Sequence, residues 1–158
     1  MAVNTKQADH RKLHFETLDE VFAEADRVTS APHRVTGNWT AAQIVHHVAF
    51  TIGMNNRGID LTIPLPMRVF GRTLKLFGLH VKPINPGIRP PAKVAAAFAP
   101  PPDVTLDAAL QKLRDEVAYA KEHGMHFPSP LFGKLKPNDA VKVHCRHAEL
   151  HFGFIHPE

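Results

Sequence analysis

Apolar positions along the chain repeat at helical spacing far more often than they alternate. Phe15, Leu18, Val21, Phe22, Ala25 and Val28 form one stripe, predicting a helix over roughly residues 15–29. Pro32 and Gly37 mark a connection, and Thr40-Ala-Ala-Gln43 is a capping-box signature: the Thr oxygen takes an orphan amide and the Gln side chain reaches back. A second helix is expected from there to about Asn56 or Asp60. A shorter amphipathic segment follows near Pro66–Leu79, with Val69, Phe70, Leu74, Phe77 and Leu79 as its apolar positions. Residues 80–103 are expected to be irregular, because each of their many prolines removes an amide donor and restricts its neighbour. A brief helical turn is expected at Ala92–Ala99 within them. Thr105 caps the next helix, striped by Leu106, Leu110, Leu113, Val117 and Ala120 and ended by Gly124. Pro137 suits the first turn of a last helix. No repeat or strand-like alternation stands out, so the pattern predicts an all-α fold with four main helices and one long Pro-rich crossover segment.

The 158 residues suffice for a single domain spanning 1–158, with 1–12 as a flexible N-terminal extension. One cysteine, Cys145, excludes an internal disulfide and fits a reducing, cytoplasmic setting. The first residues lack the apolar stretch of a signal peptide, and no run approaches the length of a membrane span. The net charge of +4 is unevenly placed. Residues 61–102 hold Arg68, Arg72, Lys75, Lys82, Arg89 and Lys93 and no acid, which leaves the rest of the chain at −2. A basic block can meet nucleic acid, an anionic membrane surface or an acidic substrate, although a solvated face is its ordinary meaning. Without interleaved aromatics, nucleic acid is not expected as a partner.

The candidate chemistry lies in histidines. His144, His147 and His151 sit at i, i+3 and i+7 and share one face of the last helix with Ala140, Ala148 and Ile155. Lys142, Arg146, Glu149 and Gly153 fall opposite, on the side expected to face water. On the second helix, His47 shares its direction with Thr40, Gln43, Thr51 and Met54, while Asn56 and Asp60 lie opposite; His47 is therefore preferred to His46 as the inward residue. A bundle that sets the second helix beside the last converges His47 on His147 and His151. Three neutral imidazoles hold a divalent ion and leave a coordination position open, with His144 as a supporting or alternative ligand. Zinc or nickel is the expected ion, and binding is expected to weaken as pH falls through about 6.5, where free histidines protonate. His10, His14, His33, His80, His123, His126 and His156 show no paired spacing, and His156 is expected in a frayed end.

Other chemistries lose ground. Ala148 follows His147, so the His-Glu-x-x-His of a zincin protease is missing. No Gly-rich phosphate loop occurs, Ser30 and Ser129 lack the strand-turn-helix setting of a hydrolase nucleophile, and Cys145 reads as a small buried hydrophobe.

Gly37-Asn-Trp-Thr-Ala-Ala-Gln-Ile-Val-His-His-Val-Ala49 resembles the start of the second helix in DinB/YfiT-like proteins. Arg146-His-Ala-Glu-Leu-His-Phe-Gly-Phe154 resembles their closing His-x-x-x-His helix, and the Pro130–Gly133 turn points to a branch that is a domain of unknown function. That resemblance implies a DinB-like four-helix bundle with a three-histidine divalent metal site, carried by motif onto His47, His147 and His151. It further implies a metal-dependent enzyme coupling a low-molecular-weight thiol to a small electrophile; relatives of this kind often form homodimers. The branch often carries His before the turn, where this chain has Ser129, so a role for that histidine is not inherited. Metal-assisted hydrolysis is a second chemistry for such a site. The rival class is a non-catalytic helical bundle that binds metal or a small ligand.

Overall fold

A computed structural model of the chain describes residues 2–88 and 90–158; Arg89 of the basic block and the side chain of Leu79 lie outside the description. Three threonines set helix starts. Thr17 caps α1 (Leu18–Thr29), its hydroxyl accepting from the Glu20 amide while Glu20 reaches back to the Thr17 amide. Thr40 and Gln43 make the same reciprocal pair at α2 (Ala41–Arg57), as the sequence predicts. Thr105 caps α5 (Leu106–His123), which stops at Gly124, where φ is +75°. Between α2 and α5 lie α3 (Leu65–Leu76), a 3₁₀ turn at Leu79–Val81 and α4 (Ala92–Ala97). The chain closes with α6 (Pro137–Phe152), with Pro137 in its first turn.

The molecule is mainly helical, as the all-α reading expects. Helix α2 lies at the centre, packed against α5 and α6, while α1 contacts both α5 and α6. The fully buried side chains Val21, Val28, Ile44, Val45, Val48, Ile52, Leu113, Cys145 and Phe152 come from these four helices and form one core. Burying each such aliphatic or aromatic side chain favours folding by about 1.5–3 kcal/mol.

Several expectations need correction. A small antiparallel sheet is present: β1 (His33–Val35) pairs with β2 (Ile155–Pro157). Strands of three residues carry too little alternation to register as a pattern. His156 and Ile155 therefore belong to β2 rather than to a frayed end or the last helix; His156 is buried, its Nε2 3.3 Å from the Asp9 carbonyl. Within the segment expected to be a flexible extension, residues 10 and 11 are docked against the end of the chain. His10 Nε2–H donates to the Leu150 carbonyl (2.8 Å), Arg11 Nε donates to the Ile155 carbonyl (2.6 Å), and the Arg11 amide donates to Gly153 (2.8 Å). This strap buries part of the α6 face expected to meet water: Arg146 is 5% and Glu149 7% exposed, whereas Lys142 stays exposed. Glu149 Oε1 accepts from the Phe15 amide (2.6 Å) and pairs with Arg146 (3.2 Å), which also donates to the Phe15 carbonyl. Asn56, expected opposite the core, is likewise buried, and its Nδ2 donates to Glu116 on α5 at 2.8 Å.

Candidate metal centre

Because α2 packs beside α6, His47 meets the i, i+4 pair His147 and His151. The ring centroids stand 5.1 Å (His47–His147), 4.6 Å (His47–His151) and 4.5 Å (His147–His151) apart. One ring nitrogen from each falls within 4.8 Å of the others. His47 is buried, and the other two keep part of their surface open.

The neighbouring oxygens fix two of the proton positions. His47 Nδ1 lies 2.9 Å from the Phe98 carbonyl, which can only accept, so Nδ1 carries the proton and Nε2 keeps its lone pair. Thr51 Oγ1 donates to the Val48 carbonyl (2.9 Å) and so accepts from His147 Nδ1–H (3.2 Å). His147 Nε2 is therefore bare as well, 3.0 Å from His151 Nε2. Two bare nitrogens at that distance repel; either His151 places its proton between them or an ion replaces that proton, with His151 protonated at Nδ1.

The arrangement fits a small divalent cation. Tetrahedral ligation at about 2.0–2.1 Å places ligand nitrogens about 3.4 Å apart, and the observed separations of 3.0 Å to within 4.8 Å bracket that spacing. Burial pushes His47 down to about 4 and holds His147 and His151 well below the ordinary imidazole value, with neighbouring imidazoles, His47 among them, adding to the effect on the latter two. These shifts favour the neutral imidazole, the form that ligates. With no carboxylate in the cluster, a dication held there would keep its full charge.

His144 takes another place. Although it shares the α6 face, its Nε2 donates to Asn55 Oδ1 at 2.8 Å, and Asn55 Nδ2 donates to the Phe127 carbonyl at 2.6 Å. It is buried and pushed down to about 4 by burial, and it joins α6 to α2 rather than entering the cluster. His46, as the helical geometry predicts, turns away toward Lys112 on α5. Ser129 closes the turn expected at Pro130–Gly133 through paired backbone bonds to Gly133 (3.0 and 2.8 Å).

Three contributors escape a search for ligands in the sequence. Trp39 stacks on His151 (centroids 5.5 Å, planes 18° apart) and tilts against His47 at 4.8 Å. Thr51 orients His147, and the Phe98 carbonyl orients His47 from the proline-rich crossover. The spacing of Thr51 four residues after His47 was a usable signal; a backbone carbonyl fifty-one residues away left none.

Residues 7–158 match the family described as Protein of unknown function (DUF1569), and the chain belongs to that family. Comparison with curated proteins and with solved structures returns no match.

Proposed function

We propose that this protein is a divalent-metal-dependent enzyme of the DinB/YfiT-like type, transferring a low-molecular-weight thiol to a small electrophile in the cytoplasm. One observation carries the reading: two of three converging imidazoles have Nδ1 engaged by fixed oxygen acceptors, which aims their bare Nε2 atoms at one point. Hydrogen-bonded histidines of an ordinary core do not need their second nitrogens gathered in this way. The packing of α1, α2, α5 and α6 supports the DinB-like four-helix bundle, with residues 58–105 as its long crossover.

His47, His147 and His151 would hold the ion, zinc or nickel by the preference of imidazole ligands. A divalent ion there supplies Lewis acidity, which lowers the pKa of a small thiol. The chain's own contribution is positional. Phe98 and Thr51 hold two rings in a single tautomer, and the Trp39 indole stacks on one face of His151. No carboxylate joins the histidine cluster, so thiol activation suits it better than a mechanism requiring a carboxylate base.

The test is consumption of a small thiol in the presence of an electrophilic aromatic halide, using protein reconstituted with zinc or nickel. The reading expects turnover that is lost with the ion and in His147→Ala. Bound ion without turnover across a panel of thiols and electrophiles would favour the non-catalytic alternative.

A further inference from the structure

Helix α3 is amphipathic, yet its apolar face points away from the protein. Its inner side is seated on the turn at 130–133: Gly71 is its one buried residue, and a Cβ there would collide with the Leu131 carbonyl. Lys75 Nζ donates to the Lys134 carbonyl. The outer side carries Leu65, Val69, Phe70 and Leu76, continued by Phe77, and these are 55–81% exposed. At 100° per residue they share an arc about 140° wide, with Arg68, Arg72 and Lys75 along one edge of it.

What sets the charges here apart is that residues 61–102 hold no acid at all; elsewhere, among the described residues, six cations pair with a carboxylate and seven, Lys112 and Arg114 among them, do not. Arg11, Arg27, Arg34, Arg57, Lys121 and Arg146 each pair with a carboxylate. Among the described residues, Arg68, Arg72, Lys75, Lys82 and Lys93 have no carboxylate within 4.0 Å, and the sequence offers none from 61 to 102. A second copy of this chain would answer the apolar arc but would set unneutralised cations against their own counterparts across a two-fold axis. An anionic bilayer interface answers both features together, taking Phe and Leu into the acyl boundary and cations at the headgroups.

We propose that α3 seats this protein on an anionic lipid surface, lying in the interface plane with Leu65, Val69, Phe70, Leu76 and Phe77 inserted and Arg68 and Arg72 at the phosphates. No helix among the described residues is long and apolar enough to cross a membrane, so the attachment is peripheral. The proposal is independent of the metal centre.

The experiment is cosedimentation of the full chain with vesicles of phosphatidylcholine, pure or with about one-third phosphatidylglycerol. Binding is expected to the mixed vesicles and to weaken as salt is added. Each basic residue near such a surface is worth about a fivefold factor, so Arg68→Glu with Arg72→Glu should weaken binding at least about 25-fold. Phe70→Ser with Phe77→Ser should weaken it at least about tenfold. All four side chains lie outside the core, and an unchanged thermal transition will confirm that the fold is kept. Absence of binding to the mixed vesicles, or variants that bind as well as the wild type, would overturn the proposal. So would a dimer in solution that the phenylalanine pair dissolves while vesicles are ignored, since a second copy would then own the face.

Discussion

Removing the Glu149 carboxylate tests how the N-terminal strap holds α6. In Glu149→Ala, the Phe15 amide loses its acceptor at 2.6 Å and Arg146 its carboxylate at 3.2 Å. Arg146 is 5% exposed, and its Nε already has no partner in the protein. A buried cation without its counter-charge destabilises by about 3–5 kcal/mol, and an orphaned amide by about 1–3 kcal/mol. Because one truncation causes both, and Arg146 still donates to the Phe15 carbonyl, the expected loss is about 4 kcal/mol. At a urea m-value of about 2 kcal/mol/M this lowers the midpoint by about 2 M. Arg146→Met combined with Glu149→Leu should recover part of the loss, since it removes both charges rather than one. Equilibrium urea unfolding of the metal-free protein and both variants gives the answer. A Glu149→Ala midpoint within about 0.5 M of wild type would refute the reasoning and return Glu149 to the solvent side.

Other outcomes follow from the same geometry. Thr51→Val keeps the side-chain shape but removes the acceptor of His147 Nδ1–H, so metal affinity should fall about 10–100-fold in chelator competition; a change below twofold would contradict the assigned tautomer. His144 is buried with its pKa pushed down to about 4, so the unfolded chain takes up a proton below about 6.5 that the folded chain refuses. Its contribution is present above pH 6.5 and is lost as pH falls toward 4, at about 1.4 kcal/mol per unit. The stability difference between metal-free wild type and His144→Asn should therefore narrow by about 2 kcal/mol from pH 7 to pH 5, and a constant difference would contradict it. Burial pushes the Cys145 thiol up to about 12 and leaves it no exposed surface. A disulfide reagent should leave it unmodified in the native protein and modify it in urea; stoichiometric native labelling would contradict that.

Much of this molecule was readable from residue pattern. The Thr40–Gln43 cap, the stop at Gly124, Pro137 in a first turn and the three converging histidines all depend on spacing within one helix or on the facing of two. What was missed depends on partners distant in sequence. Arg146 and Glu149 looked solvent-facing because only the docked strap at residues 10–15 buries them. His144 shares a face with the cluster but is taken by Asn55, a choice set by the height at which α2 meets α6. Strands β1 and β2 lie more than a hundred residues apart and are three residues each, so pairing rather than propensity defines them. The stripe on α3 was visible, but periodicity alone says that a face is apolar and not whether protein covers it.

The central claim is that His47, His147 and His151 bind one divalent ion. The most direct measurement is the metal content of protein purified without a histidine tag, as wild type, His47→Ala, His147→Ala and the exposed control His126→Ala. The account predicts about one ion per chain in the wild type and the control, and none in the two cluster variants with their helical signal retained. A wild type that takes up no ion even after reconstitution with zinc and nickel, or cluster variants that keep it, would contradict the account.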